Sequence, residues 1–347
     1  MKKKILILSV VIIIGLLGLM TLQIFRQPKI VEGNQMELKK TYTHHSNEVW
    51  EVKFSPNDSL MISGGIEPNA KIWSRITGEV LHNLPHEIGT PAVDFSPNGK
   101  QAATGAYDGN VRIWNVETGT LLKTLKGEGR TIWSVDFSPN GELIAAGGDD
   151  DKVWVWNIET GELVYEFKDA EHNIWEVLFN PTGEQLLSSG SDNAIRVYNV
   201  QSGKLLQTIL GHSMVPLAMD FSPNGKLLAS AGDDKMIKIW DTSNWKLLHT
   251  LKGDNQAIHS VLFVDNNRVL AGGTDKEMVG EFFEYHLNFK GIVKPVIATL
   301  WDVKNEEILQ TISNHTDDIG LGMDISSDRK LIATPSKDKT VKIWNIK

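Results

Sequence analysis

Short apolar segments separated by turn residues occupy most of the chain, and residues 221–241, "FSPNGKLLASAGDDKMIKIWD", show the pattern. A first apolar segment, strand a, ends at Phe221, and "SPNG" then supplies a proline and a glycine that is able to take positive φ. "KLLASAG" and "MIKIW" follow as strands b and c, and a tight turn leads into strand d, as in "SGKLLQTIL" at residues 202–210. The pattern predicts a unit of four short strands.

This unit recurs seven times along the chain. The phenylalanine that ends strand a has equivalents 41 or 42 residues apart, at Phe54, Phe95, Phe137, Phe179, Phe221 and Phe263, and Ile325 takes the seventh place. An aromatic residue lies nineteen positions further on in six units, at Trp73, Trp114, Trp156, Tyr198, Trp240 and Trp344. The sixth unit reaches Trp301 only after 38 residues, so it contains an insertion. One such unit cannot bury both of its faces alone, whereas seven units stacked in a ring can.

The units resemble the WD-repeat β-propeller family. "GH" at Gly211 and His212 and "WD" at Trp240 and Asp241 carry the resemblance, which extends over about residues 36–347. The resemblance implies an all-β fold, a seven-bladed β-propeller. Because the chain ends at strand c of the seventh unit, we expect residues 36–44, "MELKKTYTH", to supply the missing strand d. The propeller would then be closed by an N-terminal strand.

A charge-free apolar segment precedes the repeats. Lys2, Lys3 and Lys4 are followed by residues 5–22 without a charged side chain, and a single transmembrane helix is predicted at about 5–25. The predicted domains are therefore a membrane anchor at 1–26, a linker at 27–35 and the propeller at 36–347. The lysines favour a cytoplasmic N-terminus and an extracytoplasmic propeller. Export after cleavage of a signal peptide is the alternative.

The charge balance bears on the class of partner. The chain carries 35 Lys and Arg residues against 43 Asp and Glu residues, a formal net charge of −8, and residues 1–26 hold four of the positive charges and no acid. A nucleic-acid-binding protein would show basic stripes, so no nucleic-acid partner is expected. The chain has no cysteine, and disulfides therefore do not indicate its compartment.

Histidine, hydroxyl and carboxylate side chains recur in the units and raise the question of hydrolase chemistry. The family resemblance implies instead a structural, hydrogen-bonded tetrad, found in the fifth, second and seventh units as His212, Ser230, Asp234 and Trp240, as His86, Thr104, Asp108 and Trp114, and as His315, Thr334, Asp338 and Trp344. The first unit has His45, Ser63 and Trp73, with Glu67 at the acid position. An active site is needed once, whereas a brace is needed in every blade. We therefore predict no enzymatic activity.

The resemblance further implies that partners bind to the face formed by the d–a and b–c loops. The residue four positions before the end of strand a is expected to point to that face, and tryptophan occupies three of the seven positions. Tryptophan is enriched in binding hot spots. The predicted partner-binding residues are Trp50, Tyr107, Arg130, Trp133, Asp149, Trp175, Phe283 and Tyr285. Packing of the tryptophans between neighbouring loops is the alternative interpretation.

The insertion at about residues 277–296 lies between strands b and c of the sixth unit. It contains Phe283 and Tyr285 in an apolar-polar alternation that is typical of a half-buried strand. A β-hairpin is predicted, with a helix as the alternative. The acidic residues 149–151 lack the ligand spacing of a calcium loop, and no metal or cofactor is expected.

These features favour a membrane-tethered, non-catalytic scaffold that binds a protein or peptide on the loop face of the propeller. One alternative is a ligand-binding or hydrolytic propeller that uses the central channel as its pocket and residues 277–296 as a lid. Another is a purely structural role in a larger envelope complex.

Overall fold

The computed structural model describes residues 35–252, 257–273 and 298–347. In these ranges 28 strands form seven four-stranded antiparallel sheets. No helix in this part of the chain is long and apolar enough to cross a membrane. The predicted anchor at 1–26, with its transmembrane helix at about 5–25, the linker up to residue 34 and the insertion at 277–296 lie outside the described residues.

Each sheet is one blade of a seven-bladed β-propeller, as the repeat predicts, and the strands are numbered in chain order. Blades one to three comprise β2 (Val49–Phe54), β3 (Leu60–Gly65), β4 (Asn69–Ser74) and β5 (Val80–Pro85); β6 (Ala92–Phe95), β7 (Gln101–Gly105), β8 (Asn110–Asn115) and β9 (Leu121–Lys126); and β10 (Ile132–Phe137), β11 (Leu143–Gly148), β12 (Val153–Asn157) and β13 (Leu163–Phe167).

Blades four to six continue the same order. They comprise β14 (Ile174–Phe179), β15 (Gln185–Gly190), β16 (Ala194–Asn199) and β17 (Lys204–Leu210); β18 (Pro216–Phe221), β19 (Leu227–Gly232), β20 (Met236–Asp241) and β21 (Lys246–Lys252); and β22 (Ile258–Phe263), β23 (Arg268–Gly273), β24 (Ala298–Asp302) and β25 (Glu307–Ile312). Blade seven combines β26 (Asp324–Ile325), β27 (Leu331–Pro335) and β28 (Val341–Ile346) with β1 (Met36–Tyr42).

The strand order within a blade follows from short turns of the predicted type. In blade five the Gly225 N–H donates to the Ser222 carbonyl at 2.7 Å, and the Leu227 N–H donates to the Ser222 hydroxyl oxygen at 2.9 Å. Gly225 has a φ of 68°, a conformation that glycine adopts without steric cost. The turn therefore reverses the chain within four residues, and strand b pairs with strand a.

Apolar side chains between neighbouring blades form the core. The second and third strands of each blade are almost entirely buried, and one apolar cluster joins Ile62 and Ile72 of blade one to Val93, Phe95 and Trp114 of blade two. Burying one such side chain contributes about 1.5–3 kcal/mol. Since a blade buries its two faces only against its two neighbours, the stability of each blade depends on the ring.

The first described strand pairs with the last strand of the chain. Met36 of β1 lies opposite Ile346 of β28, and Tyr42 lies opposite Val341. The Gln310 side-chain oxygen accepts the backbone N–H groups of Gln35 and Met36 at 2.8 and 2.7 Å. The predicted strand at residues 36–44 is thus a strand in blade seven, with observed bounds of Met36–Tyr42.

The register of blade seven also shows on which side of the propeller β1 begins. Asn345 lies opposite Glu37 of β1 and opposite Leu331, the first residue of β27. The a–b turns lie on this side, and the loops that precede strand a lie on the other. The chain therefore enters β1 on the side opposite the predicted partner face.

Deleting residues 36–44 is expected to open the ring, because blade seven loses its fourth strand and β28 becomes an edge. The deletion variant should lose the cooperative thermal transition of the full-length protein, followed by far-ultraviolet circular dichroism. The exposed Lys39 offers a control, since Lys39→Ala leaves the β1 backbone in place. A deletion variant that melts like the full-length protein would show that β1 does not close the ring.

Candidate functional site

A β-bulge near the start of strand a determines the orientation of the three predicted tryptophans. The pairing register of β2 with β3 shifts between Val49 and Glu51, which leaves Trp50 without a paired residue. Equivalent shifts at Trp133 and Trp175 interrupt β10 and β14. A bulge bends its strand and redirects the extra side chain, so each tryptophan is turned out of the sheet. In blade two the equivalent Pro91 precedes the strand and is buried.

Four aromatic side chains meet at this face and form what is here called the aromatic rim: Trp50, Tyr107, Trp133 and Trp175. The Trp133 ring lies at its centre, with ring centroids 5.3 Å from Trp175 in a stacked arrangement and 5.7 Å from Tyr107 in a perpendicular one. Trp50 lies 6.3 Å from Trp133 at 49°. All four rings remain partly exposed. The rings therefore pack on one another and also present one contiguous surface.

Polar side chains fix the orientation of two of the indoles. The Trp133 Nε1 donates to Asp149 Oδ1 at 2.6 Å, and the Asn173 amide donates to the same oxygen at 2.9 Å. Arg130 is exposed and donates to the Asp149 carbonyl at 3.1 Å. The Trp175 Nε1 donates to the Ser191 hydroxyl at 2.7 Å. The structure thus places Arg130 and Asp149 beside the aromatic rim.

Sequence reasoning missed three residues of this surface, Asn173, Ser191 and Lys337. The ammonium group of Lys337 lies 5.7 Å from the Trp50 ring centroid and 2.9 Å from Asp318 Oδ2. Lys337 belongs to blade seven and Trp50 to blade one, so no local pattern links them. The predicted partner-binding residues Phe283 and Tyr285 lie outside the described residues.

Below the aromatic rim, acidic side chains of strand a accept hydrogen bonds from backbone N–H groups of the next blade. The innermost strand is an edge, and its unpaired N–H groups need acceptors. Four aspartates supply them to the phenylalanine of the following blade: Asp94 to Phe137 N at 2.9 Å, Asp136 to Phe179 N at 2.6 Å, Asp220 to Phe263 N at 2.6 Å and Asp324 to Phe54 N at 2.6 Å. Glu51 accepts the Val93 N–H in the same way at 2.8 Å.

Burial of these acids shifts their pKa values. Burial raises the pKa of Asp94 to about 6 and the pKa values of Glu51 and Asp220 to about 7. Burial alone would lower the pKa of Lys53, but the negative charges of Glu51 and Asp324 outweigh it and raise that pKa. Lys53 Nζ lies 3.5 Å from Glu51 Oε1. A single ammonium group therefore faces a set of carboxyl groups that hold their protons tightly.

In blade five the His212 imidazole joins a carboxylate to a hydroxyl. Its Nδ1 lies 2.9 Å from Asp234 Oδ2 and its Nε2 lies 2.7 Å from the Ser230 oxygen, which also accepts the Trp240 Nε1–H at 2.8 Å. Burial alone would raise the pKa of Asp234, but the hydrogen bond and the charge of His212, together with bonds from backbone N–H groups, outweigh burial and lower it. Gly211 leaves room for this packing, because a Cβ there would lie 2.4 Å from the Trp240 ring.

Blades seven and one contain the same chain of contacts. His315 Nδ1 lies 2.8 Å from Asp338 and its Nε2 lies 2.7 Å from the Thr334 oxygen, which accepts the Trp344 Nε1–H at 2.9 Å. In blade one, His45 contacts Glu67 and the Ser63 oxygen, and Trp73 donates to Ser63 at 3.0 Å. Glu67 thus stands in for the aspartate.

Blade two departs from the predicted set. Trp114 Nε1 donates to Thr104 at 2.8 Å, but the Arg112 guanidinium binds both oxygens of Asp108 and lies 3.1 Å from His86 Nδ1. His86 Nε2 is buried without a hydrogen-bond partner among the described residues. The planar guanidinium matches a carboxylate with two parallel bonds, so Arg112 takes the position that the imidazole has in blade five.

Blades three and four, which lack the histidine, satisfy their acids through strand c. In blade three the Trp154 Nε1 donates to Asp150 Oδ2 at 2.6 Å, and in blade four Arg196 binds Asp192 at 2.5 and 3.1 Å. These acids are thus paired within their own blades. A carboxylate at this position recurs with different partners, which is the behaviour of a brace.

Comparison with protein families agrees with this geometry. The model of the WD domain, G-beta repeat, matches six segments that together make up well over half of the chain, at residues 36–74, 78–115, 119–157, 161–199, 203–241 and 306–345. The chain belongs to the WD-repeat family. WD-repeat propellers are generally non-catalytic scaffolds and typically bind proteins. A comparison with individual curated proteins found no match.

The tetrad of this WD-repeat propeller predicts a measurable loss of stability when one of its side chains is truncated. Ser230→Ala removes the acceptor of Trp240 and the partner of His212, and leaving buried polar groups unpaired costs about 1–3 kcal/mol each. We expect the free energy of unfolding in urea to fall by about 2 kcal/mol or more, because two buried groups lose a partner. The control is Ser213→Ala, at an exposed residue beside Asp234. Equal unfolding midpoints for the two variants would contradict a stabilising role of the tetrad.

The buried acids of strand a predict an unusual pH dependence of the stability of the protein. The pKa of Asp220 is about 7 in the folded protein against 3.8 in its ordinary state. The folded chain therefore keeps a proton that the unfolded chain releases, and this contribution to stability, complete below about pH 4, is lost as the pH rises through 7. Asp220→Asn removes the titration but keeps an oxygen for the Phe263 N–H.

Urea unfolding of the wild type and of Asp220→Asn is to be compared at about pH 5 and about pH 8, on either side of that pKa. The free energy of unfolding of the wild type, relative to that of the variant, should be lower at the higher pH than at the lower pH. The exposed Asp317 supplies the matched control, Asp317→Asn. A difference between wild type and Asp220→Asn that is the same at both pH values would refute the assignment.

Proposed function

We propose that this WD-repeat propeller is a membrane-tethered, non-catalytic scaffold that binds a protein or peptide partner through the aromatic rim. The observation that carries the proposal is the contiguous patch of Trp50, Tyr107, Trp133 and Trp175, in which each ring is partly exposed. Clustered aromatic side chains flanked by an arginine are typical of the energetically dominant part of an interface. Arg130 and Asp149 supply the polar edge.

The proposed tether is supported by the position at which the chain enters the propeller. The apolar residues 5–22 precede β1, and β1 begins on the side of the a–b turns. The linker of about ten residues spans at most about 35 Å when extended. An anchored propeller would therefore stand close to the bilayer with its aromatic rim turned away from it.

A second candidate is a ligand site in the central channel, favoured by a cavity of about 240 Å³ at its a–b turn side. Lys53, Asp94 and Asp324 line this cavity. The two aspartates, however, already accept backbone N–H groups of the neighbouring blades. Both carboxylates thus already have a structural role in joining the blades, and we favour the rim.

Affinity capture from solubilised membranes tests the proposal. The full-length protein should retain a specific partner, and Trp133→Ala or Trp175→Ala should weaken that binding at least about tenfold, since a tryptophan hot spot contributes about 2 kcal/mol or more. Each variant is first checked for an unchanged melting transition.

Ile76→Ala is the matched control, because Ile76 is an apolar residue, 69% exposed, in a c–d turn on the opposite side of the propeller. It should capture the same partner as the wild type. A partner set that is unaffected by both tryptophan variants would place the binding surface elsewhere.

A further inference from the structure

The joint between blades four and five lacks, in the described residues, a contact that is present at the other six joints of the ring. At those joints one side chain of the outermost strand, always at the same register position, reaches the next blade. These side chains and their targets are Lys40 and the Ile76 carbonyl, His82 and the Glu117 carbonyl, Lys123 and the Glu159 carbonyl, Tyr165 and the Gln201 carbonyl, His249 and the Glu306 carboxylate, and Gln310 and the Met36 backbone. In blade four the equivalent Gln207 donates to the Thr208 carbonyl of its own strand at 3.2 Å.

The c–d turn of blade five explains this difference. In blade four a Cβ on Gly203 would lie 2.4 Å from the Tyr165 ring, so Tyr165 bonds this turn only because residue 203 is glycine. Trp245 occupies the equivalent position in blade five, at a φ of 58°, and packs against the apolar cluster between blades four and five. Its side chain therefore excludes the arrangement that joins blades three and four.

The innermost strands are also joined by fewer bonds here. Leu178 stands at the position of Asp136, which accepts a backbone N–H across the preceding joint at 2.6 Å. A leucine offers no acceptor to the Phe221 N–H of blade five. Among the described residues a single hydrogen bond crosses the joint between blades four and five, from the Met219 N–H to the Glu176 carboxyl group.

Blade six shows that the missing aspartate alone does not leave a joint unbonded. Leu262 occupies the same position there, yet the Ser260 hydroxyl accepts the Met323 N–H of blade seven at 2.9 Å. Arg329 of blade seven also donates to the Val264 carbonyl at 3.0 Å. Blade four has no such replacement in the described part of the chain.

The packing of the innermost strand is altered at this joint as well. Blades one to three have glycine at one position of strand b, and a Cβ on Gly147 would lie 2.3 Å from the Ile174 side chain of the next blade. Ser189 occupies this position in blade four, where it is fully buried, and its hydroxyl has no hydrogen-bond partner among the described residues. The serine thus fills space that the next blade uses at the other joints, and its hydroxyl would gain water on opening.

We propose that the ring opens at the joint between blades four and five while β1 and β28 stay paired. Opening any other joint would break a bond of the outermost strand and a bond of the innermost strand, and each broken bond costs free energy. At this joint the Phe221 N–H lacks its carboxylate acceptor and the Ser189 hydroxyl lacks a partner, and water reaches both groups when the joint opens. The opening is a property of the ring and does not depend on the binding function proposed above.

The aromatic rim lies on one side of this opening. Trp50, Tyr107, Trp133 and Trp175 belong to blades one to four, and their ring contacts do not cross the joint between blades four and five. The joint can therefore open while the rings of the aromatic rim keep their contacts.

Thiol labelling of the full-length protein in detergent tests the proposal, because the chain has no cysteine of its own. Ser189→Cys places a nearly isosteric thiol in the joint, whereas Ala231→Cys and Ala333→Cys place one between blades five and six and between blades seven and one. All three positions are fully buried. The rate of reaction with N-ethylmaleimide follows the population of the open form. The Ser189→Cys variant should react at least about tenfold faster than the other two, because two or more bonds are missing from its joint.

The melting transition of each variant is measured first, so that the rates compare opening at equal stability. Equal rates in the three variants would show that the thiols react only from the unfolded protein, and this result would overturn the proposal. The fastest reaction in Ala333→Cys would place the opening at the closure by β1 instead.

Rebuilding the outer bond assigns the effect to its cause. Gln207→Tyr together with Trp245→Gly copies the pair of Tyr165 and Gly203 at the preceding joint. Added to Ser189→Cys, this change should slow labelling about threefold or more, the effect of one hydrogen bond. Trp245→Gly alone cannot form the bond, is the matched control and should not slow the reaction. Equal labelling rates with the rebuilt bond and with the control would refute the role of the missing bond.

Discussion

The inward edge of each blade is the constraint on which the rest of the propeller depends. The innermost strand pairs on one side only, and its free N–H groups would remain unsatisfied in the channel. The preceding blade supplies the acceptors, as Asp220 does for Phe263 and Asp324 does for Phe54. Because each bond joins consecutive blades, the same contacts that satisfy the edge also fix the position of each blade relative to the next.

The carboxylates that accept these N–H groups give the channel its acidic lining. Carboxylates are strong acceptors for backbone N–H groups, but carboxylates buried in one channel lose their contact with water and, to a smaller extent, repel one another. Their pKa values are raised for that reason, and Lys53 is held in its charged form among them. The acidic character of the channel is therefore a consequence of how the ring is held together.

The buried acids near the loop face of the blades are also paired, and the partner differs from blade to blade. His212, Ser230 and Asp234 satisfy one another in blade five, whereas blades three and four pair the acid with Trp154 and Arg196 of strand c. Each arrangement pairs the buried acid within its own blade. The variation supports a structural role, since a catalytic group would tolerate no such exchange of partners.

The number of blades, the four strands in each and the turn positions followed from the sequence, because they depend on a period of about 42 residues and on local turn chemistry. The pairing of β1 with β28 was predicted as well. The sequence further pointed to Trp50, Trp133 and Trp175 by their equivalent positions. What it did not contain was their mutual arrangement.

Only the tertiary structure decided that Trp50 and Trp133 meet, with the buried Pro91 at the same position of the blade between them. It also decided that Arg112 lies between His86 and Asp108. Repetition along the chain determines the unit and the number of its copies. Contacts between units depend on how the blades are arranged around the propeller. Residues that meet there can be far apart along the chain, as Trp50 and Trp133 are, so no local pattern predicts them.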